Sequence, residues 1–260
     1  MQMGFDFEQG PIRPPSEATS LLIRATRNCP WNKCAFCHTY RNTKFELRPV
    51  DEIKKDIQTA KDIADQIREL SRKHGDGGRI SKRIVNLIYA NDDMYSDSVR
   101  SIAAWLYYGG DSVFIQDANS IIMKTNDFLE ILSFIKDQFP SVNRITSYCR
   151  SKTAARKTVK EFMMMKSAGL SRIHIGMESG YDPLLKFVRK GVTAAEHIEG
   201  GRNIKEAGIS LCEYVMPGLG GDQWSKEHAR ETARVINEIN PDFVRLRTFH
   251  AVPGTDLFEM

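Results

Sequence analysis

Six short apolar runs, spaced by helical stretches, limit what this chain can fold into more than any other feature. The runs fall at residues 20–26, 112–117, 143–149, 171–177, 209–216 and 243–249. Between them apolar residues recur at three- and four-residue spacing, the mark of amphipathic helices. In residues 51–73 these are Ile53, Ile57, Ala60, Ala64, Ile67 and Leu70. Further helices are expected at 96–108, 125–138, 153–168, 183–189, 194–207 and 224–239, with Gly109, Pro140, Gly169, Gly208 and Pro241 as stops. Residues 85–89 read as an additional strand-compatible run. Strands alternating with helices make a parallel sheet with right-handed crossovers. The predicted class is α/β: a partial (β/α)6 TIM-like barrel of parallel strands in a single domain. A doubly wound open sheet is the alternative. In both, ligands gather at the carboxyl ends of the strands. The core domain is placed at residues 19–260, after an amino-terminal extension at 1–18. Only about ten residues follow the last run, where a closing helix would normally come, so truncation there is left open.

Composition removes several classes of function. No apolar run approaches the roughly 18–20 residues of a membrane helix. Residues 1–10 are acidic and aromatic, without the basic and apolar regions of a secretory signal. A cytoplasmic location is therefore expected. The formal charge of +4 is spread along the chain, not gathered into the basic face that nucleic acid requires. Nucleic acid is accordingly not expected as a partner. The dense basic stretch at 79–83 reads as a solvated loop.

The cysteines are at 29, 34, 37, 149 and 212. Three of them sit in one loop straight after the first strand, Cys29-Pro-Trp-Asn-Lys-Cys34-Ala-Phe-Cys37. Clustered thiols of this kind point to a metal or to redox chemistry. A structural zinc site would need a fourth ligand, from adjacent His38 or distant Cys149 or Cys212. Plant-type ferredoxins share the C-x4-C-x2-C spacing but need a fourth cysteine in a small β-rich domain. Purely structural cysteines normally sit singly on strands and helices. A four-iron cluster with three protein ligands leaves one iron open to a small molecule, as catalytic metal sites do.

Other segments sharpen the choice. Residues 178–193 read ESGYDPLLKFVRKGVT, residues 214–221 YVMPGLGG and residues 252–257 VPGTDL. With the cysteine loop and the aromatic Phe36 before its third cysteine, they resemble the radical S-adenosylmethionine (SAM) superfamily across roughly residues 19–257. The segments are similar to those of the tRNA methylthiotransferases, and oxygen-independent coproporphyrinogen oxidases share the same core. The resemblance implies a [4Fe–4S] cluster on Cys29, Cys34 and Cys37 that cleaves SAM reductively to a 5′-deoxyadenosyl radical. It places the backbone near Phe36 against the adenine. Glu178 would accept from ribose hydroxyls, Lys190 would pair the methionyl carboxylate, and Arg150 would contact a carboxylate or the substrate. The family's Gly-Gly-Glu at the end of strand two is replaced by Gln116-Asp117-Ala118-Asn119, so Gln116 or Asp117 would have to receive the amino group. The first cysteine gap holds four residues where the family usually has three. Glu178 and Lys190 stand where the methylthiotransferases have Gln and Arg.

Cys149 and Cys212 read as core residues and His174 as a satisfied core or surface histidine, and no second cluster is expected. No residue is singled out for proton or hydrogen transfer; Arg245, Arg247 and His250 end the last strand, within reach of a substrate there, but nothing in the sequence singles them out. The expected partners are a small-molecule or peptide substrate and an electron donor such as flavodoxin or ferredoxin. Two other readings stay open: a non-catalytic zinc or iron–sulfur binding protein, and an RNA-modifying radical enzyme.

Overall fold

The first apolar run becomes strand β1 (Leu21–Arg24), whose Leu21 and Ile23 are fully buried. The computed structural model describes residues 6–91 and 95–259; the first five residues of the expected extension lie outside these. After β1 come two short strands, β2 (Thr26–Arg27) and β3 (Glu46–Leu47), and helices α1 (Val50–Lys73), α2 (Lys82–Tyr89) and α3 (Asp97–Tyr107). The regular part follows: β4 (Ser112–Gln116), α4 (Thr125–Gln138), β5 (Arg144–Cys149), α5 (Ser151–Arg156), α6 (Val159–Ser167), β6 (Leu170–Glu178), α7 (Asp182–Phe187), α8 (Ala194–Glu206), β7 (Ser210–Val215), α9 (Gly221–Ile239), β8 (Phe243–Leu246) and α10 (Asp256–Glu259).

Six strands form one parallel sheet in the order β1-β4-β5-β6-β7-β8. The order never reverses, and a doubly wound sheet requires a reversal. The chain therefore winds in one sense around a partial (β/α)6 barrel, open between β1 and β8. Alternation along the strands separates its two faces. Val113, Ile115, Ile173, Ile175 and Leu211 face the helices and join the main apolar core. The opposite positions turn inward, where the rings of Phe114, Tyr148, His174 and Tyr214 meet in a chain of contacts. Glu17, itself fully buried, closes the amino end by accepting from Ser20 at 2.8 Å and Arg144 at 2.8 Å, with His174 Nε2 at 3.5 Å.

Four local departures from the sequence expectations stand out, and the first two have clear causes. Residues 85–89 belong to α2, because Ser81 caps Ile84 N–H and the i,i+4 pair Ile84 and Ile88 is buried. The helix expected over 153–168 is two helices. Lys157 is extended (ψ 142°), and Thr158 with Glu161 opens α6 as a capping box. The last strand stops at Leu246, and the antiparallel pairing of β2 with β3 is an addition.

Helix α8 lies unusually close to α5. A Cβ placed on Gly200 would stand 2.8 Å from the Ser151 carbonyl oxygen and 2.9 Å from Ala154 Cβ. Gly-to-Ala inside a helix ordinarily stabilises by about 1 kcal/mol. Here overpacking should reverse the sign, so Gly200→Ala is expected to destabilise by about 1–3 kcal/mol in urea unfolding.

Candidate active-site cleft

The loop that carries the three cysteines leaves β2 at Asn28 and returns at β3, so the short β2–β3 pair closes its base. Asp117, one residue past β4 and fully buried, organises that base. It accepts from Arg24 at 2.8 Å, from Asn28 N–H at 3.1 Å and from the Tyr40 hydroxyl. Burial and the neighbouring Asp117 carboxylate push the Tyr40 phenol far above its usual range, so Tyr40 stays a neutral donor. Gln116 is equally occupied. Its amide accepts from Gly10 N–H at 2.9 Å and donates to Gly10 O and Ile12 O at 3.0 and 2.8 Å.

The cysteine loop faces a cleft at the carboxyl ends of the strands that encloses about 890 Å³, its open mouth included. Cys29, Cys34 and Cys37 line it together with Phe36, Arg150, Glu178 and Lys190. Gln116 and Asp117 do not line it; Ala118 does. All three thiols are free and half-buried. Burial raises the Cys34 thiol; Lys190 and Arg150 pull the other way, and Cys37 and Cys29 add to the rise. Among the described residues, no three His, Cys, Asp or Glu side chains converge tightly enough to hold one metal ion.

Glu178 and Lys190 form the cleft's charged wall. Lys190 Nζ donates to Glu178 Oε1 at 3.0 Å, with both side chains 13% exposed. Burial alone would lower the Lys190 ammonium, but Glu178 and Cys34 more than offset this and raise it. Glu178 sits at φ 66°, a left-handed conformation that costs a non-glycine residue about 1–3 kcal/mol and marks functional sites. Its carboxylate folds back over Gly176, where a Cβ would lie 2.4 Å from Oε1. The Lys190 ammonium also stands 5.6 Å from the Phe36 ring, which packs on an apolar cluster of Leu184, Val188 and Leu219. Arg150 donates to the Lys190 carbonyl at 3.0 Å.

Cys149 and Cys212 are 2% and 1% exposed. The sequence alone does not single out Tyr40, Arg24 or Trp31. For Tyr40 and Arg24 no local pattern pointed to Asp117, 77 and 93 residues away.

This sheet and cleft define a class, and sequence comparison agrees with them. The model of the radical SAM superfamily matches residues 23–234. The chain belongs to the radical SAM superfamily, whose domain carries a [4Fe–4S] cluster and uses SAM. It is 24% identical over 252 residues to the tRNA-2-methylthio-N(6)-dimethylallyladenosine synthase of Hahella chejuensis, covering 96% of this chain and 47% of that protein. It is 26% identical over 102 residues to the tRNA uridine(34) acetyltransferase of Methanocaldococcus jannaschii, covering 39% of this chain and 19% of that protein. The chain thus spans less than half the length of these curated relatives. Among solved structures, TsrM from Kitasatospora setae, a radical SAM methyltransferase with cobalamin and a [4Fe–4S] cluster bound, superposes with a TM-score of 0.58. That match is 14% identical and covers 92% of this chain and 38% of that one. Methylornithine synthase superposes with a TM-score of 0.52 at 16% identity, covering 93% of this chain and 56% of that one. At such identities these two show the fold alone.

Proposed function

We propose that this chain is a radical SAM enzyme whose cleft holds a [4Fe–4S] cluster on Cys29, Cys34 and Cys37, with SAM beside it. The observation that carries the reading is the presence of three free thiols, Phe36 and the Glu178–Lys190 pair on one cleft at the carboxyl ends of a parallel sheet. The donor set suits a cubane better than zinc. Ligands tetrahedral about one zinc at 2.3 Å stand only about 3.8 Å apart, whereas a cubane takes one thiolate on each of three irons. When bound, the cluster would supply one electron to the sulfonium, breaking its C5′–S bond to release methionine and a 5′-deoxyadenosyl radical.

The chain's own residues bind and orient. The Lys190 ammonium pairs a carboxylate, Glu178 accepts from hydroxyls, and Arg150 supplies a second cation at the same wall. Gln116 and Asp117 are proposed in a changed role. Their side chains hold the amino-terminal segment and the loop base, which leaves the backbone at Ala118 to face the ligand. The substrate, a small molecule or peptide, would enter over the barrel mouth. The electron would come from a donor such as flavodoxin or ferredoxin in the cytoplasm. No helix among the described residues is long and apolar enough to cross a membrane. A second reading, an RNA substrate, is favoured by the tRNA-modifying names of both relatives above.

Iron, zinc and acid-labile sulfide content after anaerobic reconstitution tests the reading. About four irons and four sulfides per chain are expected. Zinc without sulfide would instead make the chain a non-catalytic metal-binding protein.

A further inference from the structure

The four-residue gap between Cys29 and Cys34 contains Trp31, and its indole is not free on the surface. Its Nε1–H donates to the Arg189 carbonyl at 2.7 Å. The ring lies directly against the backbone of Gly191, where a Cβ would fall 2.3 Å from it. Gly191 itself sits at φ 69°, a conformation that glycine adopts without cost. The Arg150 guanidinium stands 5.3 Å from the ring centre while it donates to the Lys190 carbonyl. The cation–π contact and the hydrogen bond therefore fix the indole to the same turn.

That turn grips the loop a second time. Ala35 N–H donates to the Val188 carbonyl at 2.9 Å. Cys34 thus lies between two anchors, Trp31 before it and Ala35 after it, both seated on residues 188–191. Asn32 completes the arrangement. It takes a left-handed φ of 49° and directs its N–H to Cys29 Sγ at 3.4 Å. Lys190, the residue between the indole's two contact points, sends its ammonium into the cleft toward Glu178.

We infer that Trp31 is a positioning residue: by docking on Gly191 and the Arg189 carbonyl it holds Cys29 and Cys34 in register with Lys190. The inference rests on the assignment of those cysteines as cluster ligands. It also accounts for the longer gap, because the added length carries a side chain whose binding slot restores the order that a longer loop would lose.

Three full-length variants test it: Trp31→Ala, Trp31→Phe and Gly191→Ala. In the iron-free protein, the rate at which 5,5′-dithiobis(2-nitrobenzoate) modifies the loop thiols reads loop order directly. In the reconstituted protein, iron release to a chelator and the paramagnetic resonance spectrum of the reduced cluster read the ligand geometry. Trp31→Ala is expected to speed both thiol modification and iron release by about tenfold, the scale at which supporting residues act on metal sites. The cluster spectrum should shift while thermal unfolding stays with the wild type. Gly191→Ala should likewise speed thiol modification and iron release, since its Cβ displaces the ring, and the left-handed φ of 69° should also lower its thermal stability. Trp31→Phe, which keeps a ring and loses the donor, should recover part of the effect. Wild-type thiol reactivity and iron release in both Trp31→Ala and Gly191→Ala would overturn the inference. If the wild type assembles no cluster, the ligand assignment fails on its own, and the thiol rates still report whether Trp31 orders the loop.

Discussion

Serine at any one of positions 29, 34 and 37 is expected to remove the iron–sulfur absorbance of the reconstituted protein. The cleft is lined by these three half-buried loop thiols and by Cys149 at the end of β5. Cys149 is 2% exposed on β5 and Cys212 1% exposed on β7, so both are packed in the protein interior and neither stands in the loop to replace a lost thiol. A serine hydroxyl keeps its proton at neutral pH and binds iron poorly. Loss of a supporting residue costs a metal site about 10–100-fold in affinity, and loss of a ligand should cost at least that. Iron content per chain is the measurement. Retention of iron by all three variants would contradict the ligand assignment, whereas retention by one alone would redraw it.

The second large effect concerns stability and lies at the other end of the barrel. Burial alone would raise the Glu17 carboxyl, but the neighbouring His174 ring and the hydrogen bonds from Arg144 and Ser20 hold it well below the usual carboxylate range. Removing one partner of a buried ion pair costs about 3–5 kcal/mol. Arg144 keeps 31% of its side-chain exposure, so the lower end of that range applies to Glu17→Gln at pH 7. The pH dependence follows from the lowered value. The ionised carboxylate contributes its full stability above the unfolded-state pKa, near 4.5. That contribution is lost as pH falls below it. Urea unfolding should therefore show the wild type converging on Glu17→Gln as the solution is acidified from pH 7 toward pH 3. Parallel curves over that range would show that the carboxylate is not what closes the barrel.

Much of the fold was legible because it repeats. Helix α1 carries its core positions at regular spacing, and all but one of the residues marked there, Leu70, are buried. The six strands of the sheet fall within or beside the marked runs. What escaped was either too short or too distant. Two-residue strands such as β2 and β3 carry no periodicity. The break between α5 and α6 was written locally as Thr158-x-x-Glu161, a capping box inside what reads as one apolar period.

The cleft divides along the same line. The cysteines and the Glu178–Lys190 pair lie within recognisable segments. The parts played by Asp117 and Gln116 depend on contacts with Tyr40, Arg24 and Gly10, and no sequence pattern spans such distances. Both residues end the correct strand, but their side chains turn to the loop base and the amino-terminal segment. Trp31 was visible as a residue in the loop, while its slot at Gly191 exists only once β6 and α8 are in place.

The proposed chemistry is tested most directly by one measurement. The reconstituted wild-type protein is mixed anaerobically with dithionite and SAM, and 5′-deoxyadenosine is quantified by chromatography. The proposed function predicts 5′-deoxyadenosine in amounts that depend on dithionite, and none from the three serine variants. A protein that carries a full complement of four irons and four sulfides and still yields no 5′-deoxyadenosine would contradict it.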